Sequence, residues 1–100
     1  MEPYDGYFII RCYGAGVFFA RIKEHDKQNK VITLQNARKI HYWSGAAAVE
    51  QLAMEGVKHP GSCRITVEVP EMEVMEPIQI IPCAREAVEC IKTIVAWKMQ

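Results

Sequence analysis

The chain has 100 residues, of which 50% are hydrophobic and 24% are charged, a composition typical of one folded domain covering residues 1–100. Twelve Lys and Arg offset twelve Asp and Glu, and this zero net charge excludes a strongly basic protein that binds extended nucleic acid. The chain lacks the ~18-residue apolar run of a membrane span, and its acidic start, MEPYDGYFII, is not a secretory signal. Because zero net charge removes electrostatic self-repulsion, we expect a homo-oligomer. Because a membrane-spanning apolar run is missing, we expect no membrane partner.

Strand-like segments fill the first part of the chain. Residues 7–13 and 17–23 are rich in β-branched and aromatic side chains and flank Gly14-Ala15-Gly16, which predicts a hairpin. Since a strand follows these glycines, the hairpin is favoured over a dinucleotide-binding loop, which needs a helix there. A third strand is predicted over residues 30–34, and residues 39–43 either extend it or form a fourth.

The apolar spacing then changes to that of an amphipathic helix. Small and apolar residues recur at i, i+3, i+4 and i+7 within residues 44–55. Ser44 is a suitable N-cap and Gly56 a suitable C-terminal glycine. This pattern predicts a helix that begins at Ser44.

The last third of the sequence predicts two more strands and a second helix. The strands are expected over residues 64–69 and 77–81, the helix over 84–95, and Trp97 is expected to pack over a sheet edge. Hairpins followed by helices are typical of an α+β fold, with a mostly antiparallel sheet of about five to six strands and two amphipathic helices.

Four cysteines are spread along the chain, at Cys12, Cys63, Cys83 and Cys90. Their apolar settings favour free, packed thiols and a reducing cytoplasm over disulfides. His59 and Cys63 can meet across a loop, but a loop histidine beside a packed thiol is the favoured interpretation. The scattered Cys and His residues predict no metal site. We therefore expect neither a cofactor nor an enzyme.

Residues 36–48 carry the features most typical of a ligand-binding surface. They combine cationic or protonatable groups, large aromatic rings and a helix start made of small residues: Arg38, Lys39, His41, Tyr42, Trp43, Ser44, Gly45 and Ala46. A helix N-terminus can hold an anion, and an aromatic ring beside a cation can grip a flat heterocycle. This segment therefore predicts a site for a small anionic or nucleotide-like ligand.

Strand geometry limits which of these side chains can act together. In an extended run Arg38, Ile40 and Tyr42 share one face, and the residues between them share the other. Since one face must meet the core, only part of the set can be open to a ligand. The alternative interpretation is that the two aromatics pack in the core or an interface and the cations are solvated.

Three segments of the chain carry a family resemblance: RCYGAGVFFA (11–20), NARKIHYWSGAAAVEQLAMEGVKHPGSCRI (36–65) and IQIIPCAREAVECIKTIVAWKM (78–99). Through them the sequence resembles a family of small, uncharacterised proteins encoded by tailed bacteriophages and prophages. The resemblance is strongest at Arg38, Tyr42, Trp43, Gly45, Ala46, Gln51, Leu52, Ala53, Gly56, Pro60 and Cys63. His41 stands where many relatives are expected to have tryptophan, and Ala48 where serine or threonine is expected. The resemblance implies a viral accessory protein made in the host bacterial cytoplasm, with no assigned activity.

Two classes of function remain open. The first is a binding protein without catalysis that counters host defence, by sequestering a small signalling nucleotide or by blocking a host protein. The second is a structural or assembly accessory of the virion. Purified virions would contain the second kind of protein and lack the first.

Overall fold

The computed structural model describes residues 6–99. The first five residues of the acidic start, MEPYD, therefore lie outside the described residues. The strands are β1 (Phe8–Cys12), β2 (Gly16–Asp26), β3 (Val31–Tyr42), β4 (Arg64–Ile65), β5 (Val69–Met75) and β6 (Pro77–Pro82), and the helices are α1 (Val49–Glu55) and α2 (Arg85–Lys92), with a 3-10 turn over Pro60–Ser62. All strand pairs in this part of the chain are antiparallel. The predicted α+β fold is confirmed.

The sheet is curled by the way its last two strands attach. The strand order is β4-β3-β2-β1-β6, and β5 also pairs with β3. Only Glu76 separates β5 from β6. These two consecutive strands pair with β3 and β1, respectively, which are the outer strands of the β1–β2–β3 meander. The Glu76 amide donates to Lys30 O (2.7 Å), and Glu76 O accepts from the Tyr13 amide (3.0 Å). These two bonds tie the hairpin turns to the bend and hold the curl together.

The curled sheet separates two apolar cores. The inner core contains strand residues and no helical residue: Phe8, Ile10, Cys12, Phe18, Ala20, Ile22, Ile32, Leu34, Ala37 and Val74. The outer core lies between the sheet and the helices: Tyr7, Ile9, Phe19, Ile40, Val49, Leu52, Ala53, Val57, Ile65, Ile91 and Ile94. The alternation of β1, with Ile9 facing one core and Ile10 the other, follows from the two-residue period of a strand.

The structure decides one strand prediction and corrects another. Of the two alternatives for residues 39–43, the first is confirmed, because this run extends the third strand into one long strand, β3, and does not form a fourth. The strand predicted over residues 64–69 is interrupted, because β4 ends at Ile65 and β5 begins only at Val69. The gap lies beside the irregular part of β3, where Asn36 has a positive φ of 52°.

The C-terminal part agrees with expectation except in helix length. α2 ends at Lys92, three residues before the predicted end. The Trp97 amide then donates to Ile65 O (2.8 Å), which places Trp97 over the β4 edge as predicted. All four cysteines are free thiols. Within residues 6–99 no helix is long and apolar enough to cross a membrane.

Candidate functional site

Arg38 lies inside the protein, with 6% of its surface exposed. Its guanidinium donates through Nε to Thr66 O (2.9 Å), through Nη1 to Ile91 O (3.1 Å) and through Nη2 to Ile94 O (2.8 Å). The last two carbonyls lie at the C-terminal end of α2, where the helix dipole is negative. The expectation of an accessible ligand-binding cation at position 38 is therefore wrong, since these donors join α2 to the sheet.

The cause of this inward orientation is an irregularity in the pairing of β2 with β3. The register shifts between the pair Arg21↔Gln35 and the pair Phe19↔Arg38, so β3 carries one more residue than β2 there. This bulge changes which face each later side chain occupies. Burial lowers the pKa of the Arg38 guanidinium and the Glu68 carboxylate acts in the opposite direction, but an arginine remains charged in a protein.

Lys39 follows on the opposite side of the strand and is half-buried. Its amide donates to Thr66 Oγ1 (2.9 Å), and its carbonyl accepts from the Thr66 amide (3.0 Å). The Lys39 side chain crosses Gly16, where an added Cβ would lie 3.0 Å from Lys39 Cε. A glycine at this position therefore allows the lysine stem to lie against the β1–β2 turn.

His41 and Tyr42 reach the surface together, because a second register shift falls between Ile40 and Tyr42. The His41 ring stacks on Trp97, with centroids 4.9 Å apart and planes 15° apart. The Arg64 guanidinium carbon lies 5.7 Å from the Trp97 ring centroid, and Arg64 pairs with Tyr42 across the strands. We call the set His41, Tyr42, Arg64, Trp97 and Lys98 the Trp97 surface.

The Trp97 surface contains two of the residue types noted in residues 36–48, cationic side chains and large aromatic rings, but no helix start. Trp97 is 46% exposed and Tyr42 51%, so both rings present area to solvent. Trp97, Lys98 and Met99 line a cavity of about 340 Å³. Sequence reasoning missed Arg64, Trp97 and Lys98 as site residues, because only the tertiary structure brings Trp97 against His41 and Arg64.

The small residues after the strand do not begin a helix. α1 begins at Val49 with Ala48 as N-cap, so the prediction of Ser44 as N-cap is wrong. Trp43 is half-buried against the outer core, and its Nε1 donates to Ala46 O (3.2 Å). Gly45 has a φ of 95°, outside the helical region. These features hold the segment in a turn.

The start of α1 is not open to an anion either. The helix has seven residues, and the Gln51 side chain already accepts from the Ala47 amide (2.7 Å). The Glu50 carboxylate accepts from its own backbone amide, which is the main reason that its pKa is lowered. A negative charge from the chain itself thus occupies the first turn.

Ser44 instead meets the loop before β4. Its Oγ lies 3.2 Å from His59 Nδ1, and its amide donates to Cys63 Sγ (3.5 Å). Cys63 Sγ lies 3.4 Å from the His59 carbonyl oxygen. The imidazole thus contacts the serine hydroxyl, while the thiol contacts backbone atoms of Ser44 and His59.

Of the eight predicted site residues, the structure brings two, His41 and Tyr42, to the Trp97 surface. Lys39 lies on the same strand, but its side chain reaches Gly16 at the β1–β2 turn. Arg38 and Trp43 are committed to packing and hydrogen bonding, and Ser44, Gly45 and Ala46 form the turn. Within the described residues no group of His, Cys, Asp or Glu side chains could hold a metal ion.

Comparison with known proteins gives one result. A family model described as a domain of unknown function, DUF6948, matches residues 5–91. This match includes His41, Tyr42 and Arg64 and ends before Trp97. No curated protein and no solved structure matches the chain significantly. Because the family match covers most of its length, the chain belongs to the DUF6948 family.

Proposed function

We propose that this protein acts by binding and not by catalysis, and that it holds a small, anionic, nucleotide-like ligand on the Trp97 surface. The observation that supports this most directly is the contact of one partly exposed indole ring with both a guanidinium and an imidazole. A flat ring beside a guanidinium and an imidazole suits a ligand that carries an aromatic base and a negative charge.

The charges around the ring favour an anion. Arg64 and Lys98 are both exposed cations on the Trp97 surface, and no carboxylate lies within ion-pair distance of either in the part of the chain that the structure describes. A phosphate near these side chains would form charge-assisted hydrogen bonds. The exposed Tyr42 ring would add apolar contact area beside the ligand.

In a tailed bacteriophage, a protein of this kind would counter host defence by sequestering a signalling nucleotide in the host cytoplasm. The resemblance to phage-encoded proteins and the ligand chemistry of the Trp97 surface support this role. Blocking of a host protein through the same surface is an alternative outcome, and so is a role as a virion accessory. Immunodetection of the protein in purified virions would favour the virion role over sequestration.

The first experiment is native mass spectrometry of protein purified from a bacterial cell. A retained mass of a few hundred daltons that leaves on activation would identify the ligand. The same spectrum reports the oligomeric state, for which we propose a homo-oligomer. A ligand-free spectrum would be followed by titration with AMP as a probe.

Substitutions then test the Trp97 surface itself. Trp97→Ala should weaken AMP binding by about 5- to 150-fold, because stacking of a base on an aromatic ring contributes about 1–3 kcal/mol. Arg64→Ala should also weaken it. Tyr13→Ala, which removes a ring that is 74% exposed, and Lys58→Ala are matched controls outside this surface. If Trp97→Ala and Tyr13→Ala bind AMP as the unchanged protein does, the Trp97 surface is not the site.

A further inference from the structure

A second cavity shares no residue with the Trp97 surface and is lined by several cationic side chains. It has a volume of about 540 Å³ and is lined by Gly6, Tyr7, Arg21, Cys83, Arg85, Val88, Glu89 and Lys92. Three of these residues are cations and one is an acid. We propose that this cavity is a binding site for a small diphosphate-class anion, distinct from the surface proposed above.

Two of the cations converge on one aromatic ring. The Arg21 guanidinium carbon and the Lys92 Nζ each lie 5.4 Å from the centroid of the Tyr7 ring. Tyr7 is itself fixed, because it is 9% exposed and stacks on Phe19 with centroids 4.5 Å apart. Since both charges are anchored to the same ring, one compact anion can contact them together.

The third cation comes from the first turn of α2. Arg85, Glu89 and Lys92 follow one another at spacings of four and three residues, which places them on one face of the helix. Arg21 comes from β2, on the sheet that this helix covers. This open cavity therefore has cations from both the helix and the sheet, which can form charge-assisted hydrogen bonds to one multivalent anion.

Among the residues that the structure describes, no carboxylate lies within ion-pair distance of the cations in this cavity. Within residues 6–99 the single ion pair is Lys23–Glu71, which lies outside the cavity, so Glu89 is not within ion-pair distance of any of the three. Like charges that lie around one cavity repel one another. An anion of matching charge would remove this repulsion, which favours a multivalent ligand over a monovalent one.

Inorganic pyrophosphate is the probe that tests this proposal. Isothermal titration at low ionic strength should detect one site per chain. Lys92→Gln and Arg21→Gln should each weaken pyrophosphate binding by about 5- to 20-fold, equivalent to ~1–1.8 kcal/mol, and Glu89→Gln should strengthen it. Lys27→Gln, which removes an exposed lysine of the β2–β3 turn, is the matched control. Raising the salt concentration should weaken binding of pyrophosphate more than it weakens binding of a monovalent anion.

The outcomes separate this site from the Trp97 surface. Trp97→Ala should leave pyrophosphate binding unchanged, and Lys92→Gln should leave AMP binding unchanged. Binding of pyrophosphate that Lys27→Gln weakens as much as Lys92→Gln does would show general attraction to surface lysines and overturn the proposal. Absence of pyrophosphate binding at millimolar concentration in low salt would also overturn it, whatever AMP does.

Discussion

Replacing Arg38 tests the central structural conclusion, that this cation joins α2 to the sheet. In Arg38→Ala, the carbonyl oxygens of Thr66 and Ile94 lose guanidinium donors at 2.9 and 2.8 Å, while Ile91 O loses one donor and keeps the amides of Thr93 and Ile94. A hydrogen bond to a charged group contributes about 1.5–3 kcal/mol, and a buried acceptor left without a partner costs about 1–3 kcal/mol. Removal of the guanidinium also relieves its own desolvation, which offsets part of this loss.

The balance predicts a loss of about 3–5 kcal/mol in the free energy of unfolding, because charge-assisted hydrogen bonds of about 1.5–3 kcal/mol each are lost while the relieved desolvation offsets part of that loss. The unfolding entropy of a chain of this length is roughly 0.21 kcal/mol/K. The melting temperature should therefore fall by about 15–25 °C. Because domains of this kind are stable by about 5–15 kcal/mol, the variant should remain folded at low temperature, and the loss can be measured.

Urea denaturation followed by circular dichroism is the assay. Arg38→Lys should lose less than Arg38→Ala, since a lysine keeps the charge near the α2 carbonyls but cannot span three acceptors. Lys39→Ala, at the neighbouring and more exposed position, is the matched control and should change stability by less than about 0.5 kcal/mol. If Arg38→Ala unfolds at the same urea concentration as Lys39→Ala, the guanidinium does not hold α2.

Three further predictions concern other parts of the fold. Gly45→Ala should cost more than ~1 kcal/mol, because φ is 95° and the new Cβ would lie 2.5 Å from a backbone nitrogen; an unchanged urea midpoint would contradict this. The Asp26 carboxylate accepts two hydrogen bonds from Asn29 (3.1 and 2.8 Å), which lower the pKa of Asp26. Asp26→Ala should therefore be less stable than the unchanged protein at pH 7, and melting curves of the two should converge as the pH falls below ~4 through the lowered pKa. Burial raises the pKa of Cys12 and raises that of Cys83 to about 12, so both thiols should react slowly in the folded protein, while unfolded, unreduced protein should titrate as four thiols.

The parts of the fold that follow local rules could be predicted from the sequence. Its glycines locate the β1–β2 hairpin, and Gly56 ends α1 with a φ of 77°, as a C-terminal glycine should. The apolar stripe of α2 locates that helix. In each case a signal within about ten residues determines the structure, so tertiary information is not needed.

The start of α1 shows where local rules are insufficient. Ser44 is a residue type that is favoured at helix N-caps, but a side-chain contact with His59 holds it beside the loop before β4. The Gly45 carbonyl accepts from the Lys58 amide (3.2 Å). Contacts with the loop after α1 stabilise Ser44 and Gly45 in a turn. These contacts outweigh the helix propensity of the segment, which is a weak preference.

The side-chain orientations along β3, and with them most of the candidate site, could not be predicted for a different reason, which is strand register. A strict two-residue alternation along β3 would place Leu34 and Arg38 on one face, since they are four residues apart. The bulge near Asn36 instead places Leu34 in the inner core and Arg38 on the helix side. A second shift after Ile40 turns both His41 and Tyr42 outward.

These two irregularities connect stability with the proposed function. The first turns Arg38 toward α2, and its bonds to the end of that helix fix where the chain leaves α2. The chain that leaves α2 reaches Ile65, where the Trp97 amide bonds to the sheet. The second irregularity turns His41 toward the indole that arrives there. The buried arginine is therefore a positioning residue for the Trp97 surface, and weakening of AMP binding by Arg38→Lys at a temperature where that variant is fully folded would follow from displacement of Trp97.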